Sequence, residues 1–398
     1  MILKNRQVQR VGVIGGGQLA WMMADGAEAL GLELVIQTPS RDDPACAIAH
    51  QTILGPVADA TITAKLATHC DVITFENEFI DLPALRKLEA AGTVFYPQLD
   101  CLAPLLDKYD QRQYCDRLNL PSPPFATLHS KADLPQLSEK VSAVGLPLAL
   151  KTRRHGYDGQ GTFILKTLEA VESTWQGLGY QPVLLEAFVD FEKELAVMVA
   201  RSHLGEVVVY PVVETEQIEQ VCRRVIAPAR VSQSVVESVS AIATQLVNSL
   251  GVVGIFGIEL FLTTAGQVLI NEIAPRTHNS GHYTLDACTT SQFEQQLRAV
   301  SGQPLGPVAL TSPGAVMVNL LGTEDTPAGK TSEYKEQRQA IAALPNAHLY
   351  WYGKTRSRIG RKLAHVTILT DTTSDNTTIA KIIQTVEALW YDTQDNHA

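Results

Sequence analysis

The segment from residue 148 to residue 166 combines basic side chains with glycines in a pattern that suits phosphate binding. Its sequence, LALKTRRHGYDGQGTFILK, places a glycine-rich loop between two apolar runs. Glycines let backbone N–H groups approach phosphate oxygens closely, and the ammonium group of Lys151 could neutralise phosphate charge. The adjacent Arg153 and Arg154 strengthen this interpretation. We therefore predict a lid over a nucleotide, with a flexible surface hairpin as the alternative; the chain contains no P-loop motif.

A turn at residues 264–267 lies between two apolar runs and brings two glutamates into register. If Ala265-Gly266 is the centre of the turn, counting back along both strands places Glu259 directly opposite Glu272 on the same face. Like charges in such a pair repel each other, so a cation between them is expected. Magnesium is the natural choice because it takes carboxylates together with substrate phosphates. The alternative is that one glutamate is exposed or paired with arginine.

The segment NEIAPRTHNSGH at 271–282 follows a buried strand and carries many polar groups. Such groups are costly to bury unless they bind something, so we expect them to belong to a site. His278 and His282 have the four-residue spacing of zinc ligands on a helix. However, Pro275 and Gly281 favour a loop, which argues against zinc.

A second basic cluster lies near the C-terminus, in YGKTRSRIGRK at 352–362. Its residues include five lysines or arginines, although the chain as a whole has a net charge of −10. Basic side chains beside glycines suit a phosphate group, so we predict a binding segment for a phosphorylated substrate. A solvated basic surface loop is the alternative.

The N-terminal turn, Gly15-x-Gly17-x-x-Ala20, fits the glycine pattern of a dinucleotide-binding βαβ unit. In a dehydrogenase an acidic residue would end the second strand and bind the ribose hydroxyls, but here that position is Gln37. The sequence therefore disfavours an NAD-dependent dehydrogenase. We interpret the turn as a tight strand–helix connection or as a helix N-terminus that, with Gln18, holds another phosphate.

These segments fall into three regions with different patterns of elements. Residues 1–107 alternate strands with helices and predict a doubly wound, Rossmann-like α/β domain. Residues 108–308 predict an α+β region with a largely antiparallel sheet, divided into a lid at about 120–190 and a catalytic part at about 191–308. Residues 309–398 predict a small β-rich C-terminal domain that ends in a helix.

Composition argues against several classes of protein. Apolar residues make up 45% of the chain, enough for packed cores, and charged residues make up 19%, too few for a disordered chain. The net charge of −10 argues against a nucleic-acid-binding protein. Six scattered cysteines fit a reducing compartment, and no apolar run reaches the ~20 residues of a membrane span. We expect a cytoplasmic protein that binds small molecules.

Taken together, four motifs resemble the ATP-grasp ligases and, more narrowly, the N5-carboxyaminoimidazole ribonucleotide synthetase family. The motifs are K-x-R-R-x-G-Y-D-G-x-G in the lid, E-x-x-V at Glu186–Val189, Glu194, and N-E-x-A-P-R-x-H-N-S-G-H. The resemblance implies an ATP-grasp fold and an ATP- and Mg²⁺-dependent ligase, in which Mn²⁺ could substitute. Its substrates would be bicarbonate, activated as carboxyphosphate, and 5-aminoimidazole ribonucleotide. The resemblance also implies a cytoplasmic homodimer with no nucleic-acid or membrane partner.

The resemblance further assigns roles to individual residues. The catalytic residues would be Arg276, which steadies the carboxyphosphate, Lys151 and Tyr157. Magnesium would bind Glu259 and Glu272, in agreement with the register argument. The ribonucleotide substrate would contact Gln18, Leu19, Glu76, Tyr157, Asn279, Lys354, Arg361 and Lys362. ATP would contact Lys108, Lys151, Gly156, Tyr157, Asp158, Gly159, Gln160, Gly161, Thr162, Glu186, Ala187, Phe188, Val189, Glu194, Gln217, Asn271 and Glu272.

Two positions depart from the family pattern. Gln160 follows Y-D-G where many relatives have Arg or Lys, and Gln217 stands where relatives place a histidine after the Y-P-x-x-E strand. Both departures concern nucleotide contacts and not the class of enzyme. The nearest rival is a formate-dependent glycinamide ribonucleotide transformylase or another ATP-grasp carboxylate–amine ligase. A non-catalytic nucleotide sensor is disfavoured because both Glu259 and Glu272 are retained.

Overall fold

The computed structural model describes residues 8–154, 161–326, 334–371 and 375–391, and the strands in these ranges form three sheets. The first is a parallel sheet with the order β3-β2-β1-β4. Its strands are β1 (Arg10–Ile14), β2 (Glu33–Thr38), β3 (Gln51–Leu54) and β4 (Val72–Phe75). The helices of this region are α1 (Gln18–Trp21), α2 (Ala24–Leu30), α3 (Ala60–Ala67), α4 (Leu82–Ala90) and α5 (Leu99–Leu102). The predicted doubly wound α/β region is confirmed, and β1 is apolar and buried as a strand covered on both faces must be.

The second sheet is antiparallel and belongs to the predicted lid. Its order is β5-β8-β6-β7, and it follows helix α6 (Lys108–Arg117) in the chain. The strands are β5 (Phe125–Leu128), β6 (Leu148–Thr152), β7 (Thr162–Leu165) and β8 (Val183–Ala187). Helices α7 (Leu137–Val144) and α8 (Leu168–Gly177) cover one face, where Val141, Val171 and Trp175 are buried against β6 and β8.

The third and largest sheet has nine strands in the order β14-β13-β9-β11-β12-β15-β17-β16, with β10 paired to β9. The strands are β9 (Phe191–Arg201), β10 (Val207–Val209), β11 (Val213–Ile218), β12 (Val221–Ala227), β13 (Gly254–Thr263), β14 (Val268–Ala274), β15 (Gly314–Leu321), β16 (Ala347–Trp351) and β17 (Lys362–Thr370). The helices are α9 (Gln233–Leu250), α10 (Thr284–Ala287), α11 (Gln292–Ser301), α12 (Lys335–Ala342) and α13 (Asn376–Tyr391). Because β15 pairs with β12, the C-terminal strands extend the central sheet and do not form a sheet of their own. The domain boundaries given above remain predictions.

Helix α11 connects the parallel sheet to the large sheet. Its Phe293 and Leu297 pack with Val11 and Val13 of β1. From the same helix, Gln296 donates through Nε2 to Thr74 Oγ1 (2.7 Å) and accepts through Oε1 from a backbone N–H of β13 (2.7 Å). These buried hydrogen bonds join β4 of the parallel sheet to β13 of the large sheet through α11. None of the helices in the described ranges combines the length and hydropathy that a membrane span needs.

The β13–β14 hairpin confirms the predicted pairing of Glu259 with Glu272, but the predicted turn is wrong by one residue. Thr263 pairs with Gln267 through a 2.9 Å backbone hydrogen bond, and Gly266 takes the left-handed conformation with φ of 77°. The loop therefore has three residues and not two. A β-bulge between Glu259 and Leu260 then restores the register, because Leu260 pairs with Ile270 and leaves Asn271 as the extra residue.

Candidate active site

A fully buried carboxylate lies at the junction of the lid and the large sheet. Glu186 on β8 contacts the guanidinium Nε of Arg112 on α6, and its other oxygen lies 2.5 Å from Lys151 Nζ on β6. Lys151 also donates to Asn271 Oδ1 at 3.2 Å, which ties the lid to the β13–β14 hairpin. Burial by itself would raise the pKa of Glu186, but the two cations outweigh it and lower the pKa to about 2. Glu186 is therefore a permanent anion that fixes Lys151.

The second group of carboxylates lies on β9, β13 and β14. Glu272 forms an ion pair with Lys108 Nζ at 3.0 Å, and 42% of its side chain remains exposed. Burial raises the pKa of Glu259, and the neighbouring Glu272 raises it further. Burial and the charge of Glu259 raise the pKa of Glu194 to about 7. The group therefore has more negative charge than its contacts compensate, which is the electrostatic condition for binding a cation.

The donor set at this position suits magnesium better than zinc. Within the described residues, no group of three or more His, Cys, Asp or Glu side chains could by itself hold a metal ion. His278 directs Nδ1 to Ser280 Oγ at 2.8 Å and Nε2 towards Glu259 at 3.6 Å, so it supports the carboxylate. Two facing carboxylates with open coordination positions fit a hard cation that takes its remaining ligands from phosphate and water.

The glycine turn after β1 surrounds a carboxylate and not a phosphate. A Cβ atom at Gly15 or Gly17 would overlap the carboxylate oxygens of Glu76, which follows β4. Burial raises the pKa of Glu76, against the lowering effects of Asn77 and of the cations Arg276 and Lys354. Because a carboxylate occupies the place of an anion, the suggestion that this turn holds a phosphate is not supported.

Gln37 also speaks against a dinucleotide site. Its side chain is buried, donates to the Pro56 carbonyl at 2.9 Å and accepts from Thr63 Oγ1 at 2.9 Å. Both ends of its amide are therefore used in hydrogen bonds to residues that pack beside the parallel sheet. No carboxylate at this position is available for a ribose, as the sequence predicted.

Several predicted substrate residues converge near Glu76. Arg276 Nε lies 3.0 Å from Glu78 Oε1, and its charge acts on Glu76 together with that of Lys354. Gln18 is half-buried at the first position of α1. Leu19 differs, because its side chain is buried in the N-terminal core; its backbone N–H is the group that approaches Glu76.

The basic cluster at 352–362 is braced by its own backbone. Lys354 Nζ donates to the carbonyl of Lys362 at 2.7 Å, and Arg361 donates to the carbonyl of Arg356 at 2.7 Å. The charge of Lys362 acts on Glu259, so this end of the cluster faces the carboxylates. Binding of a substrate phosphate by these side chains remains a prediction.

The HNSGH segment is held by the C-terminal strands. Asn279 and Asn319 on β15 exchange two side-chain hydrogen bonds, at 3.0 and 2.8 Å. His282 is buried and accepts at Nδ1 from Gln292 Nε2 (3.0 Å), while its ring lies 5.1 Å from that of His365. Burial lowers the pKa of His365 to about 3. Burial also lowers the pKa of His282, so the His282 and His365 rings are neutral and pack against each other.

The tip of the lid lies outside the described residues. This applies to the predicted contacts Gly156, Tyr157, Asp158, Gly159 and Gln160. The described base of the lid is closed by a hydrogen bond from Thr152 N to Gly161 O (2.8 Å), and Thr162 pairs with Lys151.

The arginine pair at the base of the lid corrects one sequence argument. Arg153 binds both carboxylate oxygens of Asp107 (2.8 and 3.0 Å) and lies 3.3 Å from Asp110. Arg154 lies 3.4 Å from Asp107. Because these acidic residues compensate the arginines, the pair anchors the lid to α6 and does not strengthen the case for a phosphate.

The remaining predicted nucleotide contacts lie on β8 and the segment after it, and on β9 and β11. Ala187 ends β8, and the following Phe188 and Val189 are exposed and half-buried, respectively. Thr215 on β11 pairs with Glu194, and Gln217 is two residues further along the same strand. This geometry places Gln217 beside Glu194, at the position where the family pattern has a histidine.

Three family models match successive parts of the chain. Family models match at residues 8–104 (ribonucleotide synthetase preATP-grasp domain), 113–293 (ATP-grasp domain) and 315–378 (phosphoribosylaminoimidazole carboxylase C-terminal domain). The N5-carboxyaminoimidazole ribonucleotide synthase of Synechococcus elongatus is 54% identical over 394 residues, which cover 98% of each chain. The chain belongs to the N5-carboxyaminoimidazole ribonucleotide synthase family. Its fold is therefore an ATP-grasp fold with a preATP-grasp N-terminal domain, as the resemblance implied.

Further members of the synthase family share the fold and the full length. The enzyme of Bacillus subtilis is 38% identical, with 90% of this chain and 91% of the relative covered. The crystal structure of the Staphylococcus aureus synthetase complexed with ADP matches with a TM-score of 0.87 at 29% identity, covering 97% and 100% of the two chains. The Aspergillus clavatus synthase in complex with ADP and 5-aminoimidazole ribonucleotide matches with a TM-score of 0.85 at 28% identity, covering 96% and 99%.

Helix α6 and strand β15 contribute neighbours of the site that none of the sequence motifs predicted. Gln111 and Arg112 on α6 bind the backbone of β14, and Asn319 on β15 binds Asn279. A signal for the first two was present: Lys108, Gln111 and Arg112 have the spacing i, i+3, i+4 of one helix face. Asn319 lies within an apolar strand, and only the folded sheet shows which loop it faces.

Proposed function

We propose that this chain uses ATP, Mg²⁺ and bicarbonate to carboxylate the exocyclic amine of 5-aminoimidazole ribonucleotide in purine biosynthesis. Membership of the synthase family supports the reaction. One observation supports the site: the segment 271–279 runs from the Lys151–Asn271 contact at the lid, past Glu272 and Arg276, to Asn279. A single backbone thus joins the nucleotide side to the substrate side.

Lysines and glutamates would divide the work on the nucleotide side. Lys108 and Lys151 are held by Glu272 and Glu186 with their ammonium groups at the cleft, where they would bind phosphate oxygens. Glu259 and Glu272 would hold Mg²⁺, which neutralises phosphate charge when bound. Ala187, Phe188, Val189, Glu194 and Gln217 would border the nucleoside. The lid residues 156–162 would exclude water from the reactive intermediate.

Phosphoryl transfer from ATP to a bicarbonate oxygen would give carboxyphosphate and ADP. The amine of the ribonucleotide would then form a bond to the carboxyl carbon, directly or after release of CO₂, while the carbon–oxygen bond to phosphate breaks and the amine loses a proton. Arg276, held beside Glu78, would steady the carboxyphosphate. Gln18, Glu76, Asn279, Lys354, Arg361 and Lys362 would position the ribonucleotide. A cytoplasmic homodimer is part of the same proposal.

Phosphate release tests this function. With ATP and Mg²⁺ present, we expect turnover only when bicarbonate and 5-aminoimidazole ribonucleotide are both added. Replacing bicarbonate by formate, or the aminoimidazole by glycinamide ribonucleotide, should abolish turnover. The group transferred must be a carboxyl group, and the acceptor must be the exocyclic amine on the imidazole ring. Formate-supported turnover of glycinamide ribonucleotide would contradict the proposal.

A further inference from the structure

Strand β14 is the outer strand of the large sheet, so one of its edges faces away from β13. Side chains and a neighbouring segment satisfy the backbone groups along that edge. Ile270 N donates to Pro121 O at 2.8 Å. Ile273 uses both of its backbone groups: its N–H donates to Gln111 Oε1 (2.9 Å), and its carbonyl accepts from Gln111 Nε2 (2.9 Å). Gln111 thus pairs with Ile273 as another strand would.

The spacing of these contacts is set by the bulge. In a regular strand the backbone groups that face one edge recur at every second residue, but here Ile270 and Ile273 are three apart. The extra residue is Asn271, whose carbonyl accepts from the guanidinium group of Arg112. Gln111 and Arg112 therefore bind β14 on the two sides of Glu272.

The same helix also contacts the side chain of Glu272. Lys108, Gln111 and Arg112 lie on one face of α6, and Lys108 Nζ is 3.0 Å from the Glu272 carboxylate. The start of α6 is fixed in turn, because Asp107 accepts hydrogen bonds from Tyr109 N (2.9 Å) and from Arg153 Nε. Helix α6 is thus fixed at its start and contacts the bulge through Gln111 and Arg112.

We propose that Gln111 is a positioning residue for the Glu259–Glu272 pair, because it fixes the β-bulge that makes the two carboxylates face each other. Without the bulge, the three-residue turn would place Asn271, and not Glu272, opposite Glu259. A one-residue slip in a strand moves every side chain to the other face, so Glu272 would leave the pair. This inference rests on the proposed function, since it assigns the pair to a metal ion.

The chain provides a matched control for Gln111. Gln295 on α11 is also fully buried and also binds both backbone groups of one residue: Nε2 donates to Gly306 O, and Oε1 accepts from Gly306 N, both at 2.8 Å. Gln111→Met and Gln295→Met therefore remove the same pair of backbone hydrogen bonds from buried sites, and Gln111→Met also removes a longer hydrogen bond to Leu105 O (3.4 Å). We expect both variants to lower the melting temperature by similar amounts, because each leaves two backbone groups without their partner.

Metal binding separates the two variants. We would measure the dissociation constant of Mn²⁺ by electron paramagnetic resonance on the full-length protein with ADP. Gln111→Met should weaken Mn²⁺ binding about ten- to a hundred-fold, the usual effect of removing a group that orients a metal ligand. Gln295→Met should match the wild type. If both variants bind Mn²⁺ as tightly as the wild type, or if both lose the same affinity, the positioning role of Gln111 is overturned.

Three further variants keep the test decisive. If Gln111→Met does not fold, Gln111→Asn retains the amide but is one methylene too short, and it should also weaken Mn²⁺ binding while Gln295→Asn does not. Glu272→Gln should lose Mn²⁺ binding. If Glu272→Gln binds Mn²⁺ as the wild type does, the metal assignment itself fails; if only Gln111→Met behaves as the wild type, the positioning role fails and the proposed function stands.

Discussion

Two groups of charged residues, one around Glu186 and one formed by Glu194, Glu259 and Glu272, differ in how the charge of their carboxylates is compensated. Glu186 contacts two cations, Arg112 and Lys151, and its pKa falls to about 2 although it is fully buried. On β9, Glu194 has its pKa raised to about 7, because burial and the nearby Glu259 both disfavour its charged form. The same residue type thus takes opposite electrostatic states within one site.

This difference in charge compensation distinguishes a carboxylate that stabilises the fold from carboxylates that suit a bound cation. The Glu186 group is electrically complete, so removing its carboxylate would leave buried cations without a partner. In the other group, Lys108 contacts Glu272, while burial and like charge raise the pKa values of Glu259 and Glu194. Near neutral pH, the charged forms of Glu259 and Glu194 are therefore disfavoured in the folded protein. The charge of this group becomes favourable when a cation binds, so we assign the first group to positioning and the second to the metal.

The largest effect is expected when the compensated group is broken. Glu186→Gln would leave Arg112 and Lys151 buried beside an uncharged amide, and we expect the free energy of unfolding to fall by about 3–5 kcal/mol. Urea unfolding followed by circular dichroism measures this change. A loss below about 1 kcal/mol would show that the group is not the structural one.

Glu272→Gln should have the converse profile. Repulsion with Glu259 is relieved while the ion pair with Lys108 is lost, so the free energy of unfolding should change by less than about 1 kcal/mol. ATP turnover should fall about a hundred-fold or more, because the metal contributes several kcal/mol of charge stabilisation in the transition state. Steady-state phosphate release and urea unfolding on the same preparation test both parts. Near-normal turnover would contradict the metal assignment.

The Glu259–Glu272 pair also shows how far sequence reasoning reaches. The alternation of apolar residues predicted both strands, and the counted register gave the correct pair. It did so because two deviations cancelled: the turn has three residues, and Asn271 forms a bulge. Turn length is encoded locally, by Gly266 with its positive φ, so a closer reading of the turn could have found it. The bulge could not have been found, because it depends on contacts from Gln111 and Arg112, about 160 residues away in the chain.

Charge compensation was equally hard to predict from the sequence. Arg153 and Arg154 strengthen the phosphate interpretation when only the sequence is considered, yet in the structure they bind Asp107 at the base of the lid. Lys151, in contrast, contacts Glu186 and Asn271, and its predicted role at the phosphates stays a prediction. A basic residue can be assigned to a ligand only once its acidic neighbours in space are known.

The smallest effect is a difference in pH dependence between the two groups. The folded-state pKa of Glu194, about 7, lies above its unfolded value near 4.5, so the folded state retains a proton that the unfolded state has lost. Its contribution to stability is complete below about pH 4.5 and disappears as the pH rises towards 7. Glu186 has the opposite sign: its contribution is complete above about pH 4.5 and is lost as the pH falls towards 2. We would measure urea unfolding at pH 5 and 6.5 in a metal chelator.

Over that interval the wild type should lose about 1–2 kcal/mol more than Glu194→Gln, because one retained proton corresponds to at most about 1.4 kcal/mol per pH unit. Glu237→Gln, which changes an exposed glutamate on α9, is the matched control and should follow the wild type. Identical pH slopes for Glu194→Gln and the wild type would show that Glu194 is ionised in the folded state at neutral pH. In that case the second group would be compensated as the first is, and the electrostatic argument for a cation between β13 and β14 would lose its basis.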